Sequence, residues 1–188
     1  MSFFRLFYGK TSETTYQAPI IDPTTHGLVA LDWVHHETHE GDLFQYYDAI
    51  TLASAATQDY LITTPNTTTW AHMRFTLDGL AVTKFELFEA SDKTGTTLQT
   101  AYCSNRNSSN VYTITIHKGT SGGSTVGTKI KIYSSGSSSG SSKTMSSATG
   151  GEIILKQNTK YILRATSGTA DNLINVKLEW YEHTNKTA

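Results

Sequence analysis

The chain has 188 residues, a formal net charge of −1 and 16 % charged residues. This length suits one well-buried domain, and the near-neutral charge gives no electrostatic attraction for nucleic acid or an anionic membrane, so we expect neither as a partner. The single cysteine, Cys103, excludes an internal disulfide framework and a zinc site built on cysteines. No span approaches the ~20 apolar residues of a membrane helix, and Arg5 interrupts the short apolar start, so no secretory signal is expected.

Residues 1–25 differ from the rest of the chain and are predicted to form an extended N-terminal arm. The arm begins with an aromatic tip, formed by Phe3, Phe4, Phe7 and Tyr8, and continues as a polar run that contains two prolines. An exposed cluster of phenylalanines is unfavourable unless another surface covers it. The arm therefore either docks onto a neighbouring subunit or packs back on its own domain.

The stretch HHETHEGDLF, residues 35–44, contains three of the seven histidines. A zinc-protease helix needs His-Glu-x-x-His, whereas His36 and His39 are one residue too close. On a strand, His35 and His39 would share a face and a metal site would be possible, but no spacing nominates a third imidazole. We predict no metal here and interpret the stretch as a strand end at a subunit contact or a buried histidine network. Gly41 would allow a turn, and Phe44 would anchor the next segment.

Alternation of apolar and polar residues recurs along the remaining chain and predicts strands. It is clearest in residues 173–180, and residues 83–89 alternate except that Phe88 falls on the polar side. One possible helix covers residues 46–56. The predicted strands are residues 28–34, 60–63, 70–77, 83–89, 98–103, 111–117, 129–133, 152–155, 161–165 and 173–180.

Turn residues separate these strands, as at Asp78-Gly79 and at Gln157-Asn158-Thr159. Many short strands with regular turns indicate an all-β fold, an antiparallel β-sandwich that is jelly-roll-like. We predict one such domain over residues 26–188, with a flexible Gly/Ser-rich loop region near residues 118–150.

Catalytic motifs are not found in the sequence. It has no Gly-x-Ser-x-Gly elbow and no phosphate loop that ends in Gly-Lys-Ser/Thr. Glu86, Glu89, Glu152 and Glu179 could supply a carboxylate pair for glycoside hydrolysis, but strand alternation explains their outward placement. We therefore predict that the chain is not an enzyme and has no cofactor.

Seven segments in order resemble a family of tailed-bacteriophage virion proteins of the capsid decoration, or cement, type. The segments are LDWVHHETHEGDLF (31–44), ITTPN (62–66), HMRF (72–75), ELFE (86–89), NRNS (105–108), GEIILKQNTKY (151–161) and LEWYEH (178–183). The resemblance implies a non-enzymatic protein that cements the capsid exterior and is made in the cytoplasm of a bacterial host. It implies the major capsid protein as partner and suggests a homotrimer. The expected interface consists of Phe3, Phe4, Phe7, Tyr8, His35, His36, His39 and Phe44.

Two other functions stay open at the level of sequence. The first is a receptor- or glycan-binding module of a tail or fibre, which would use the loops at 104–110 and 119–150. The second is a metal-dependent hydrolase centred on His35, His36 and His39, which the spacing of the histidines disfavours.

Overall fold

The computed structural model describes residues 9–10, 16–17, 33–136, 146–149 and 151–184. The chain divides into two compact units, Met1–His36 and Glu37–Ala188. In the first unit, strands β1 (Gly9–Lys10) and β2 (Tyr16–Gln17) form a short antiparallel pair. The aromatic tip of the predicted arm lies outside the described residues. Helix α1 (Trp33–Glu40) begins in the first unit and ends in the second.

The second unit is built almost entirely from strands. In chain order they are β3 (Leu43–Leu52), β4 (Thr57–Thr63), β5 (Thr69–Gly79), β6 (Thr83–Glu89), β7 (Thr94–Leu98), β8 (Tyr102–Cys103), β9 (Thr115–Ser121), β10 (Thr128–Ser135), β11 (Ser146–Thr149), β12 (Ile153–Ile154), β13 (Lys160–Ser167) and β14 (Asn172–Thr184). The region at 118–150 thus contains the end of β9, all of β10 and all of β11.

The strands form two antiparallel sheets that pack against each other. Sheet I has the order β10-β6-β13-β4-β9-β7, and sheet II has the order β11-β5-β14-β3-β8, with β12 also paired to β5. Eight of these strands can be numbered one to eight in chain order: β3, β4, β5, β6, β10, β11, β13 and β14. With this numbering, neighbouring strands follow the order 1-8-3-6 in sheet II and 2-7-4-5 in sheet I. This order is a jelly roll, with β7, β8 and β9 inserted between its fourth and fifth strands. The predicted all-β, jelly-roll-like sandwich is confirmed.

The core lies between the two sheets and follows the alternation seen in the sequence. Ile174, Val176, Leu178 and Trp180 of β14 point inward and are at most 1 % exposed. Phe85 and Leu87 of β6, together with side chains of β13 and β4, meet them from sheet I. Burial of each such side chain contributes about 1.5–3 kcal/mol, so this central layer is the main source of stability.

Two predicted local structures are wrong. Residues 46–52 belong to strand β3 and not to a helix, because Phe44, Tyr46 and Ile50 bury one face while the backbone pairs with β14. Conversely, residues 33–40 form a helix where the sequence predicted a strand end. Smaller differences occur at residues 111–114, which precede β9, and at Asp78-Gly79, which end β5 rather than form the turn.

Candidate interaction surface

Helix α1 places the three clustered histidines differently from the predicted strand. His35 and His39 are exposed, whereas His36 is half-buried and Glu37 is buried. Within the part of the chain that the structure describes, no group of three or more His, Cys, Asp or Glu side chains could hold a metal ion.

The C-terminal end of α1 is fixed by a glycine cap. Gly41 has a φ of +81°, its N–H donates to the Thr38 carbonyl, and the N–H of Asp42 donates to the Glu37 carbonyl. This pair of bonds is a Schellman motif, which satisfies carbonyls that a helix end leaves without partners. A Cβ at Gly41 would lie 2.3 Å from the Ser108 hydroxyl, so glycine is also required for close approach. The turn predicted at Gly41 is confirmed.

The loop at 104–110 supports the same helix end. The Asn105 side chain donates to the His39 carbonyl at 3.1 Å, and the Asn110 side chain donates to the Glu40 carbonyl at 3.3 Å and to Asp42 at 2.9 Å. Asparagines of a loop that the sequence suggested for glycan contact therefore hold the helix.

Phe44, which the sequence assigned to the interface, lies in the core. It is 2 % exposed and its ring lies 5.9 Å from that of Trp180 and 5.8 Å from that of Tyr112. Phe3, Phe4, Phe7 and Tyr8 lie outside the described residues. The structure thus places His39 near the 104–110 loop, and it buries the Phe44 side chain in the core between the two sheets.

The outer face of sheet II forms a broad surface with a regular grid of side chains. Because strand residues alternate between faces, outward side chains of β3, β14 and β5 align in the rows Gln45–Glu179–Arg74, Tyr47–Lys177–Thr76 and Ala49–Asn175–Asp78. Tyr47 is 58 % exposed, and Tyr102 of the neighbouring β8, opposite Gln45, is 53 % exposed. We call this face the tyrosine face.

A depression of about 440 Å³ lies in the tyrosine face. Its lining includes Tyr47, Ala49, Thr76, Asp78, Asn175 and Lys177. The Lys177 ammonium lies 5.6 Å from the centre of the Tyr47 ring and also pairs with Glu179. Partial burial disfavours the charge of Lys177, but the bond to Glu179 raises its pKa above the usual value.

A second cluster occupies the β5–β12 side of this face. The Tyr181 hydroxyl donates to Glu152 at 2.9 Å, and His72 Nδ1 lies 2.9 Å from the same oxygen. Arg74 approaches the other Glu152 oxygen at 3.4 Å. Burial opposes ionisation of Glu152, but the bonds from His72 and Tyr181 lower its pKa. The cluster connects β5, β14 and the segment before β12.

A third cluster lies on the inward side of β3, between the sheets. The Tyr60 hydroxyl and the Lys118 ammonium each lie 2.7 Å from Asp48 Oδ2. Burial, together with Asp48, raises the pKa values of Tyr46 and Tyr60, so both hydroxyls stay protonated and act as donors. This network joins β3 of sheet II to β4 and β9 of sheet I.

Two further polar groups, the partly exposed Glu182 and the buried Asn172, join distant segments. The Glu182 carboxylate accepts bonds from the backbone of Thr113 at 3.0 Å and from the Trp180 indole at 3.0 Å, which holds the segment before β9. Asn172 is 0 % exposed, donates to Thr83 at 2.8 Å and to Ser167 at 3.1 Å, and accepts from the Ala81 N–H at 2.8 Å. It therefore ties together β6, β13 and β14.

Comparison of the chain with known protein families, curated proteins and solved structures finds no match. In the part of the chain that the structure describes, no helix is long and apolar enough to span a bilayer.

Proposed function

We propose that this chain is a non-enzymatic structural protein that decorates and cements the capsid exterior of a tailed phage through protein–protein contacts. The observation that carries the proposal is that the clustered ionisable side chains form structural contacts within the domain. The clusters around Asp48, Glu152 and Glu182 each connect separate segments of the chain, so they serve the scaffold. The resemblance of the seven sequence segments supplies the virion context.

A cement protein stabilises a shell by many weak contacts that are summed over a symmetric lattice. That role suits a jelly roll whose sheets are cross-linked by Asp48 and Asn172, because a rigid body loses little conformational freedom on binding. In this proposal the partner is the major capsid protein, the protein is a homotrimer, and its location is the virion surface. Phe3, Phe4, Phe7 and Tyr8 supply apolar area for docking.

The proposal is tested by adding the purified chain to heads of its own phage that lack it. We expect saturable binding to the exterior, visible as ordered density in electron micrographs, and greater resistance of the heads to heat. Absence of binding to any head preparation would contradict the function.

The arm is tested separately with a chain that lacks residues 1–25. We expect its occupancy on heads to fall strongly, whereas a chain that lacks residues 185–188 serves as a terminal-deletion control and binds normally. If occupancy is unchanged after removal of residues 1–25, the arm is not part of the interface. The proposed binding of the chain to the capsid would still stand.

The histidines of α1 supply a test of pH dependence, because histidine changes charge near neutrality. Heads are titrated with the native chain and with a variant in which His35, His36 and His39 are glutamine, across about pH 5 to 8. We expect pH-dependent binding by the native chain only. Equal binding by both proteins at every pH would exclude a role for these histidines in assembly.

A further inference from the structure

The depression in the tyrosine face combines an exposed aromatic ring with several polar groups. Its two smallest outward side chains, Ala49 on β3 and Thr76 on β5, occupy opposite corners of the floor, with β14 between them. Larger side chains rise around them: Tyr47 and Lys177 in one row, Asp78 and Asn175 in the next. The volume of about 440 Å³ lies within the range of small-molecule sites.

The Tyr47 ring is held in place although more than half of its surface is open. Its hydroxyl donates to Gln45 at 2.9 Å, and the Lys177 ammonium lies 5.6 Å from the ring centre. Lys177 is in turn paired with Glu179. The ring is restrained at its hydroxyl and by the ammonium over one of its faces, so it loses little freedom when a ligand stacks on it, which favours binding.

The polar groups around the floor are side chains, since the strands at the centre of a sheet use their backbone groups in the ladder. Asp78 and Asn175 are direct cross-strand neighbours, and Lys177 is two residues along β14. A carboxylate has about four acceptor positions, an amide has both donors and acceptors, and an ammonium has three donors. Together they can hydrogen-bond adjacent hydroxyl groups, which donate and accept at once.

We propose that this depression binds a pyranose unit of a saccharide. The C–H face of the sugar stacks on the Tyr47 ring, since such a face is apolar and its hydrogens are attracted to the negative π-face. Its ring hydroxyls bond to Asp78, Asn175 and Lys177. An acidic peptide is a poorer fit because Asp78 would repel its carboxylates, and a basic peptide would meet Lys177.

The site is distinct from the loops at 104–110 and 119–150, and it does not depend on the capsid function. A chain that cements a shell through other surfaces would still present this face to a polysaccharide. A chain with no capsid role would bind the same sugar.

The experiment is an NMR titration of the ¹⁵N-labelled full chain with methyl glycosides of glucose, galactose, mannose and N-acetylglucosamine. We expect at least one of them to shift the backbone amides of Ala49, Thr76 and Asn175 saturably, with a millimolar dissociation constant typical of one sugar unit. Tyr47→Ala should weaken that binding by about tenfold or more, whereas Tyr47→Phe keeps the stacking ring and most of the affinity.

Tyr102→Ala is the matched control, since Tyr102 is equally exposed on the same face but does not line the depression. We expect it to bind the sugar like the native chain. Asp78→Asn keeps the side-chain shape and should weaken binding several-fold through loss of a charged acceptor. The proposal is overturned if none of the glycosides shifts these amides, if Tyr47→Ala binds as well as the native chain, or if an acidic or basic peptide binds there in their place.

Discussion

The two outer faces of the sandwich follow the same alternating pattern but differ in how much of their aromatic side chains is exposed to solvent. On sheet I, Leu61, Ile162 and Phe88 form one cross-strand row. All three are at most 8 % exposed, and Val126 packs against them. On sheet II, the central row contains Tyr47, which is 58 % exposed. One face has become a small second core beneath a loop, and the other stays open to solvent. The outer face of sheet I therefore adds to the stability supplied by the central core, whereas the outer face of sheet II leaves an aromatic ring exposed.

The largest difference is expected on removal of an aromatic ring from each face. Phe88→Ala should lower the free energy of unfolding by about 3 kcal/mol, because it leaves a cavity under Val126. Tyr47→Ala should change it by no more than about 0.5 kcal/mol, since the ring is mostly exposed. Urea unfolding followed by Trp fluorescence measures both values. Equal losses for the two variants would remove the distinction between the faces.

Charged pairs should show a smaller difference in the same direction. On sheet I, Arg164 donates to Asp59 at 2.7 and 2.8 Å, and Thr120 adds a bond at 3.0 Å. Asp59→Ala leaves the half-buried Arg164 guanidinium, which lies over Phe88, without its carboxylate partner. It should lower the free energy of unfolding by about 2 kcal/mol. Glu179→Ala, on the tyrosine face, should cost about 1 kcal/mol or less. Double-mutant cycles with Arg164 and Lys177 isolate the two pair energies, and a stronger Lys177–Glu179 coupling would contradict the expectation.

The smallest expected effect is a local loosening of one loop on sheet I at low pH. Asp92 accepts bonds from the N–H groups of Ser124 and Thr125 and from the Ser124 hydroxyl, which hold its pKa at about 2. These bonds order the loop that carries Val126. Because the folded pKa lies below the unfolded value of about 3.9, the stabilisation is complete above pH 4 and is lost as the pH falls toward 2.

An NMR titration of the Val126 methyl groups should show this loosening with a midpoint near the pKa of Asp92. In Asp92→Asn the transition should disappear, while signals of Ala49 on the tyrosine face should be unaffected in both proteins. Glu86 belongs to a separate group on sheet I: burial opposes its ionisation, but Lys129 and Lys84 hold its pKa below the usual value. A Val126 midpoint at pH 4 or above would contradict the role of Asp92.

Alternation within one strand could be predicted from the sequence, and the relation between strands could not. The bounds 83–89 were predicted as observed, and the position of Phe88 on the polar side of β6 was visible. Its burial depends on Leu61 and Ile162, which reach it only through the register of β4 and β13. The depression likewise needs Tyr47, Thr76 and Asn175 from three strands that are distant in the chain.

Helix α1 was missed for a different reason. Its sequence, WVHHETHE, has no apolar stripe of helical period, so the usual signal was absent. Gly41 was the signal that could have found it, because a glycine after a polar run is typical of a helix end. The error at 46–56 arose from the lack of information on β14, whose pairing decides the conformation of β3.

Strand β14 sets the order in which the domain can form. It lies at the centre of sheet II, between β3 and β5, yet it is the last strand of the described chain. Leu52 pairs with Asn172, so the first strand of the jelly roll must wait for the last one to leave the ribosome. Pairing between such distant segments is slow and exposes unpaired strand edges in the meantime. Until β14 has been made, the backbone edges of β3 and β5 that pair with it stay open.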